Sequence, residues 1–213
     1  MYIFDLDGTI TDSNGLWGRV DEMFLGRRGL AATAEYMETV GRSIFPVAAE
    51  FTRRYYGLPD SPADIMDEWA GLARGLYERE VELKAGASEL LERCRAAGRE
   101  MAIFTACRPE LCRIVLERFG LGPYFRHVVY AEEIGLEKHD PRCFARLSEL
   151  LGAPPEDCVL FDDSPYNCAT ARASGYRTVG VYDAFYTHRQ EQLRRASTRY
   201  VRGLEELLTG PLP

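Results

Sequence analysis

The amino-acid sequence predicts an α/β protein, a parallel β-sheet wrapped by helices and interrupted by an all-helical insertion. Three observations carry this reading. From Lys84 onward helical and strand-like pieces alternate: AGASELLERCRAAG, REMAIFTA, RPELCRIVLERFG, HVVYAEE, DPRCFARLSELLG, DCVLFDD, SPYNCATARASG and YRTVGVYD. Such alternation is the signature of parallel strands joined by helices. The strand-like pieces are continuous apolar runs, as expected of strands covered on both faces. Between residues 14 and 80 the rhythm changes, and apolar residues recur at helical spacing with no strand-like run among them.

Taken in order, residues 2–5 are short, apolar and too near the terminus for a helix, so they read as a buried strand. In the insertion Trp17, Val20 and Phe24 share one helical face, and Ile65, Trp69, Leu72 and Leu76 share another. Their aromatic rings are read as a small helical core, and YGLPDSP, from Tyr56, as a turn inside it. Leu90, Leu91, Cys94 and Ala97 mark a helix closed by Gly98, and Leu111, Val115 and Phe119 one closed by Gly120. The remaining strands are expected at 101–104, 128–130, 159–161 and 178–181. Asp163 and Ser164 before Pro165 resemble a helix N-cap with proline at the first helical position. The tail reads as a helix over 186–196, an edge strand over 199–202 and a closing helix over 204–208. The domain division that follows is 1–13 and 84–213 for the core and 14–83 for the helical insertion.

Bulk properties narrow the function. At 213 residues the chain has room for one well-buried core and a smaller inserted domain. No apolar run approaches the roughly 20 residues that span a bilayer, and the N-terminus lacks a basic stretch followed by an apolar one. The protein is therefore expected to be cytoplasmic, with no membrane partner, as a monomer or homodimer. Cys94, Cys107, Cys112, Cys143, Cys158 and Cys168 show no paired C-x-x-C spacing and are expected as free thiols. His127, His139 and His188 do not cluster. A formal charge of −7 argues against a nucleic-acid partner, and the arginine-rich stretch from Arg189 to Arg202 reads as a solvated helix face.

In open parallel sheets the functional site lies off the carboxyl ends of the strands. Those positions hold Asp5, Asp7 and Thr9 after the first strand, then Thr105, then Asp162 and Asp163, with Lys138 in the loop after the third strand. Each alone has a bland explanation in turn shaping, helix capping or solvation. Together they are harder to dismiss, because like charges repel unless a cation holds them. Oxygen ligands of this kind suit Mg²⁺, which keeps several waters and also binds substrate phosphate. Neither a G-x-x-x-x-G-K phosphate loop nor a G-x-S-x-G elbow is present.

FDLDGT, the threonine of FTACRP, the lysine of GLEKHDP and the acids of FDDSPYN, in that order, resemble the four motifs of the haloacid dehalogenase-like hydrolases. The helical stretch between the first two resembles the cap of the subgroup that contains phosphoglycolate phosphatases and β-phosphoglucomutases. The resemblance covers nearly the whole chain and implies a Rossmann-like core with an inserted helical cap. It implies that Asp5 is the nucleophile that forms an aspartyl-phosphate, and that Asp7 is the general acid and then the base, its pKa raised by neighbouring carboxylates. Thr105 and Lys138 would grip the phosphoryl oxygens. Mg²⁺ would be held by Asp5, the backbone carbonyl of Asp7 and Asp163, with Asp162 a second ligand or an outer-shell partner. Thr9, Ala106, Arg42 and Arg108 complete the expected substrate-binding set. Arg42 lies in the cap stretch Val40-Gly41-Arg42-Ser43, where it would meet a second anionic group.

Three positions depart from the family pattern. His139 follows the motif lysine where proline is usual, Asn167 stands where many relatives have an acid, and Lys84-Ala85-Gly86 replaces the commoner proline-glycine at the cap's return. The implied activity is a Mg²⁺-dependent phosphatase for a small phosphorylated metabolite. A phosphomutase of the β-phosphoglucomutase type and a non-catalytic phosphometabolite-binding module are the alternatives. Dehalogenase chemistry is disfavoured because it needs no acid/base at Asp7.

Overall fold

The computed structural model describes residues 1–41 and 43–213. A parallel sheet forms its centre. The strands β1 (Tyr2–Phe4), β4 (Met101–Thr105), β5 (His127–Tyr130), β6 (Val159–Asp162), β7 (Arg177–Val181) and β8 (Arg199–Val201) lie in the order β5-β4-β1-β6-β7-β8. Every neighbouring pair is parallel, and Phe4 is level with both Ile103 and Phe161. The apolar runs have the cause expected of them. Successive side chains alternate between faces, and both faces are covered: Tyr2 and Phe4 join a core containing Leu90, Leu111 and Val115, while Ile3 packs with Phe104, Phe144 and Leu147. Phe4 and Phe161 stack across adjacent strands with centroids 4.3 Å apart.

Between β1 and β4 the chain first forms β2 (Thr11–Asp12), then four helices, α1 (Asn14–Gly26), α2 (Ala34–Val40), α3 (Phe45–Tyr56) and α4 (Pro62–Arg79), and then β3 (Glu82–Leu83). β2 and β3 pair antiparallel, so the chain leaves and re-enters the sheet region through one short ribbon. Ser61 and Asp64 form a reciprocal capping box that starts α4, and Gly57, at φ +63°, ends α3 in the left-handed conformation. The expected turn at YGLPDSP is therefore present. The β2–β3 ribbon falls just outside the run expected to lack strands, and its two-residue segments are too short to carry an apolar run.

Helices α5 (Ala87–Ala96), α6 (Pro109–Arg118), α7 (Ala131–Ile134), α8 (Pro141–Leu151), α9 (Pro165–Ala173) and α10 (Gln190–Ala196) complete the fold. Ser164 caps α9 and Pro165 begins it, as its sequence indicates. The tail helix expected over 186–196 divides instead into a 3₁₀ segment, Ala184–Arg189, broken inside by Tyr186, which is out of helical geometry, and α10. The closing helix is a 3₁₀ turn, Leu204–Leu207. All six cysteines are buried and unpaired. Among the described residues no helix is long and apolar enough to cross a membrane.

Candidate active site

The pairing order places β1 between β4 and β6, which brings the ends of three strands together. Asp5 follows β1, Thr105 ends β4 and Asp162 ends β6. Lys138, from the loop between α7 and α8, reaches under them. Its ammonium donates to Asp5 Oδ1 at 2.8 Å, Asp162 Oδ2 at 2.7 Å and the Phe104 carbonyl at 3.1 Å. Burial alone would lower the lysine's pKa, but Asp162 and Asp5 outweigh it and leave it raised, so the ammonium stays charged. Asp162 also accepts from the Ser164 amide at 2.9 Å and from Asn167 Nδ2 at 3.1 and 3.2 Å. It is fully buried and holds Lys138 in place. Asn167, the departure from the family's acid, thus supplies donors to Asp162.

Asp5, Asp162 and Asp163 each bring one oxygen within 4.8 Å of the others, a cluster able to hold a metal ion. Asp163 is tied to Asn14, whose Nδ2 donates to it at 2.8 Å and to Asp183 Oδ1 at 3.0 Å. Lys84 pairs with Asp183 Oδ2 at 2.7 Å, so the departure at Lys84-Ala85-Gly86 adds a half-buried counter-charge behind the acids. Burial, then Asp162, Asp5 and Asp183, push Asp163 well above the usual carboxylate range. Asp5 is raised by burial in the same way, with Lys138 opposing. Carboxylates this short of positive charge are what a bound cation would relieve. Gly8 makes the approach possible: at φ +78°, a Cβ there would lie 2.2 Å from Asn14 Nδ2 and 2.3 Å from Asp163 Oδ2.

Asp7 accepts two hydrogen bonds on one oxygen, from Ser13 Oγ at 2.6 Å and from the Tyr77 hydroxyl at 2.5 Å. Tyr77 lies on α4 and receives Trp17 Nε1 at 2.9 Å, so the helical insertion reaches the second aspartate of FDLDGT directly. The pKa of Asp7 is raised, as expected, but the cause is desolvation, with Ser13 and Tyr77 opposing it, rather than neighbouring carboxylates.

These groups line one cavity of about 140 Å³ between the strand ends and the helices. Asp5, Asp7, Thr105, Ala106, Lys138 and Asp163 reach its wall, and Lys138 is the one lysine or arginine on that wall among the described residues. Thr105 Oγ1 accepts from the Cys107 amide at 2.9 Å, which leaves its proton to donate. Among the described residues the amides of Leu6, Asp7 and Ala106 donate to no backbone carbonyl, an arrangement suited to an anion. Two expected substrate contacts lie off the wall. Thr9 is buried with its hydroxyl unpartnered. Arg108 pairs with Glu110 at 2.6 Å and lies 5.3 Å over the Phe45 ring. Arg42 falls outside the described residues. Ser13, Asn14, Tyr77 and Asp183 were absent from the sequence-derived site, since no motif marks them and only tertiary structure brings them to it.

Residues 1–175 match the family model of the haloacid dehalogenase-like hydrolases. The chain belongs to this family. Similar relatives are a hexitol phosphatase A of Escherichia coli, 29% identical over 182 residues, covering 84% of this chain and 82% of that protein. A phosphoglycolate phosphatase of Pseudomonas fluorescens is 26% identical over 220 residues, covering 100% of this chain and 79% of that one. In fold the chain is similar to CbbY from Rhodobacter sphaeroides in complex with phosphate, with a TM-score of 0.83 at 20% identity, over 97% of this chain and 95% of that one. This haloacid dehalogenase-like hydrolase is a phosphoric monoester hydrolase.

Proposed function

We propose that the protein hydrolyses a small phosphorylated metabolite, phosphoglycolate- or sugar-phosphate-like, through an aspartyl-phosphate on Asp5. One observation carries this reading. Asp5 has one oxygen fixed by Lys138, while the other accepts no hydrogen bond among the described residues, and the carboxylate lines the cavity. That oxygen attacks phosphorus as the bond to the leaving alcohol breaks, and Asp7 gives its proton to the departing oxygen. Water then attacks the aspartyl-phosphate, Asp7 takes the proton, and inorganic phosphate leaves as the Asp5 carboxylate is restored. Lys138, Thr105 and the amides of Leu6, Asp7 and Ala106 are placed to hold the phosphoryl oxygens through both steps. Residues 14–83 act as the cap that excludes bulk water, on a core of 1–13 and 84–213.

Asp5, the backbone carbonyl of Asp7 and Asp163 would hold Mg²⁺, whose oxygen preference their donor set matches. When bound, the ion offsets negative charge between nucleophile and phosphate. Asp162, with hydrogen bonds on both oxygens and no place on the cavity wall, serves better as the anchor of Lys138 than as a ligand.

The test is Asp5→Asn. It keeps the side chain's size and should reduce hydrolysis of p-nitrophenyl phosphate by about 10³-fold or more with the melting temperature within a few degrees of wild type. Retained turnover would remove Asp5 from the nucleophile's role. With a sugar phosphate, release of free phosphate marks a phosphatase, whereas isomer without free phosphate marks a mutase.

A further inference from the structure

The cavity wall contributed by the helical insertion differs from the wall around Asp5. Trp17 from α1, Phe45 from α3 and Trp69 from α4 meet edge to face, with centroids 5.5 Å apart at 73° for Trp17 and Phe45 and 5.5 Å at 71° for Phe45 and Trp69. The same wall holds a carboxylate. Asp21, one helical turn beyond Trp17, is 6% exposed and lines the same cavity.

Asp21 is poorly compensated. It accepts one hydrogen bond, from the Tyr36 hydroxyl at 2.8 Å, and among the described residues it has no second donor and no ion pair. Tyr36 is a neutral phenol that also lies 3.2 Å from Thr52 Oγ1. A buried carboxylate with a single neutral donor is costly to the fold, and burial pushes its pKa up to about 7. Anchoring Tyr36 does not require the charge, because an amide oxygen would accept the same bond. A second group at this wall is also unmet: the buried indole N–H of Trp69 has no partner. A ligand group that donates a hydrogen bond, neutral or cationic, would relieve Asp21. An anion there would meet a carboxylate in a low-dielectric pocket.

We propose that Asp21 is a specificity-determining residue that selects phosphate monoesters whose far end carries a hydrogen-bond donor, an ammonium or a hydroxyl, and rejects those ending in a second anion. The proposal rests on the phosphatase reading, since it assigns the far end of the same substrate, and it narrows that reading to sugar-phosphate-like esters, setting aside phosphoglycolate, whose far end is a carboxylate. It runs against the second anionic group expected from Arg42 in the sequence.

The experiment uses matched two- and four-carbon phosphate monoesters ending in methyl, hydroxyl, ammonium or carboxylate. Values of kcat/KM are measured for the wild-type enzyme and for Asp21→Asn, with p-nitrophenyl phosphate as a general substrate. The wild type should favour at least one donor-bearing ester over its methyl counterpart by about tenfold and over the carboxylate by about 100-fold, and Asp21→Asn should compress both ratios to within about threefold. The ammonium and hydroxyl arms show which donor is recognised. If p-nitrophenyl phosphate is hydrolysed but the wild type shows no donor preference, or Asp21→Asn keeps the same ratios, Asp21 is structural and the proposal falls while the phosphatase reading stands. If Asp21→Asn does not fold, Asp21→Ser takes its place and is read by the same ratios. If no ester is hydrolysed at all, the phosphatase reading fails and takes this proposal with it.

Discussion

Asp7 is bound asymmetrically, and this bears on its proposed role. Ser13 and Tyr77 both donate to Oδ1, which favours the carbonyl-like character of that oxygen and leaves the acidic proton on Oδ2. Tyr77 is thus a positioning residue for the acid. Tyr77→Phe should lower kcat for p-nitrophenyl phosphate by about tenfold while KM moves by less than about threefold, the loss of one short hydrogen bond that orients the acid. An unchanged kcat would reduce Tyr77 to packing. The contrast with Asp5, Asp7, Thr105, Lys138, Asp162 and Asp163 shows which parts of the site were legible in the sequence. Those six stand in short motifs at predictable strand exits. Tyr77 sits 70 residues from Asp7 along the chain, and Asn14 lies 149 residues from Asp163 and 169 from Asp183. No spacing rule reaches that far, because the fold alone makes these groups neighbours. Arg108 shows the opposite failure: it follows Thr105 closely in sequence, yet its guanidinium turns to Glu110 and Phe45.

At the level of elements, the central strands were legible because the sheet is covered on both faces there, so β1, β4 and β6 are nearly unbroken apolar runs. The helix ends at Gly98 and Gly120 were legible for a conformational reason, since both take positive φ. What escaped was decided by hydrogen bonding rather than by hydrophobicity: the two-residue strands β2 and β3 and the 3₁₀ turns near residues 184–189 and 204–207. The turn at Gly8 links element geometry to the site. It lets β1 pass into FDLDGT with Asn14 and Asp163 against the backbone. Gly8→Ala should destabilise the protein by roughly 1–3 kcal/mol, combining positive-φ strain with a displaced Asn14 or Asp163, and should lower phosphatase activity disproportionately. A melting temperature and activity equal to wild type would show that the turn tolerates a Cβ after all.

Over the whole molecule, the helical insertion is held against the sheet region by further contacts besides that of Tyr77 with Asp7. Glu38 of α2 accepts from the Tyr166 hydroxyl at 2.8 Å and from Arg189. The Ile44 amide donates to Glu137 at 2.8 Å, and a Cβ on Gly41 would strike the Phe185 ring. The cost of burying Asp21 is also a property of the whole molecule, because it enters the folding equilibrium. With its pKa raised to about 7, the folded protein keeps a proton between about pH 4 and 7 that the unfolded chain has released. Stability therefore falls as pH rises through that window. Asp21→Asn removes this slope, so its stability relative to wild type should improve from pH 5 to pH 8 by about 2–3 kcal/mol, the part of a shift of roughly three units that falls in that interval. A melting-temperature difference that is the same at both pH values would place Asp21 outside this balance. The β2–β3 ribbon has a consequence of a different kind. Thr11 pairs with Leu83 and Asp12 with Glu82, so everything between begins and ends at hydrogen-bonded neighbours. Lengthening, shortening or exchanging that segment leaves the distance its ends must close unchanged, and loop-closure entropy grows only slowly with length. The segment can therefore be rebuilt by recombination or insertion without moving the strand ends that carry the acids, so long as the hydrogen bond from Tyr77 to Asp7 is kept.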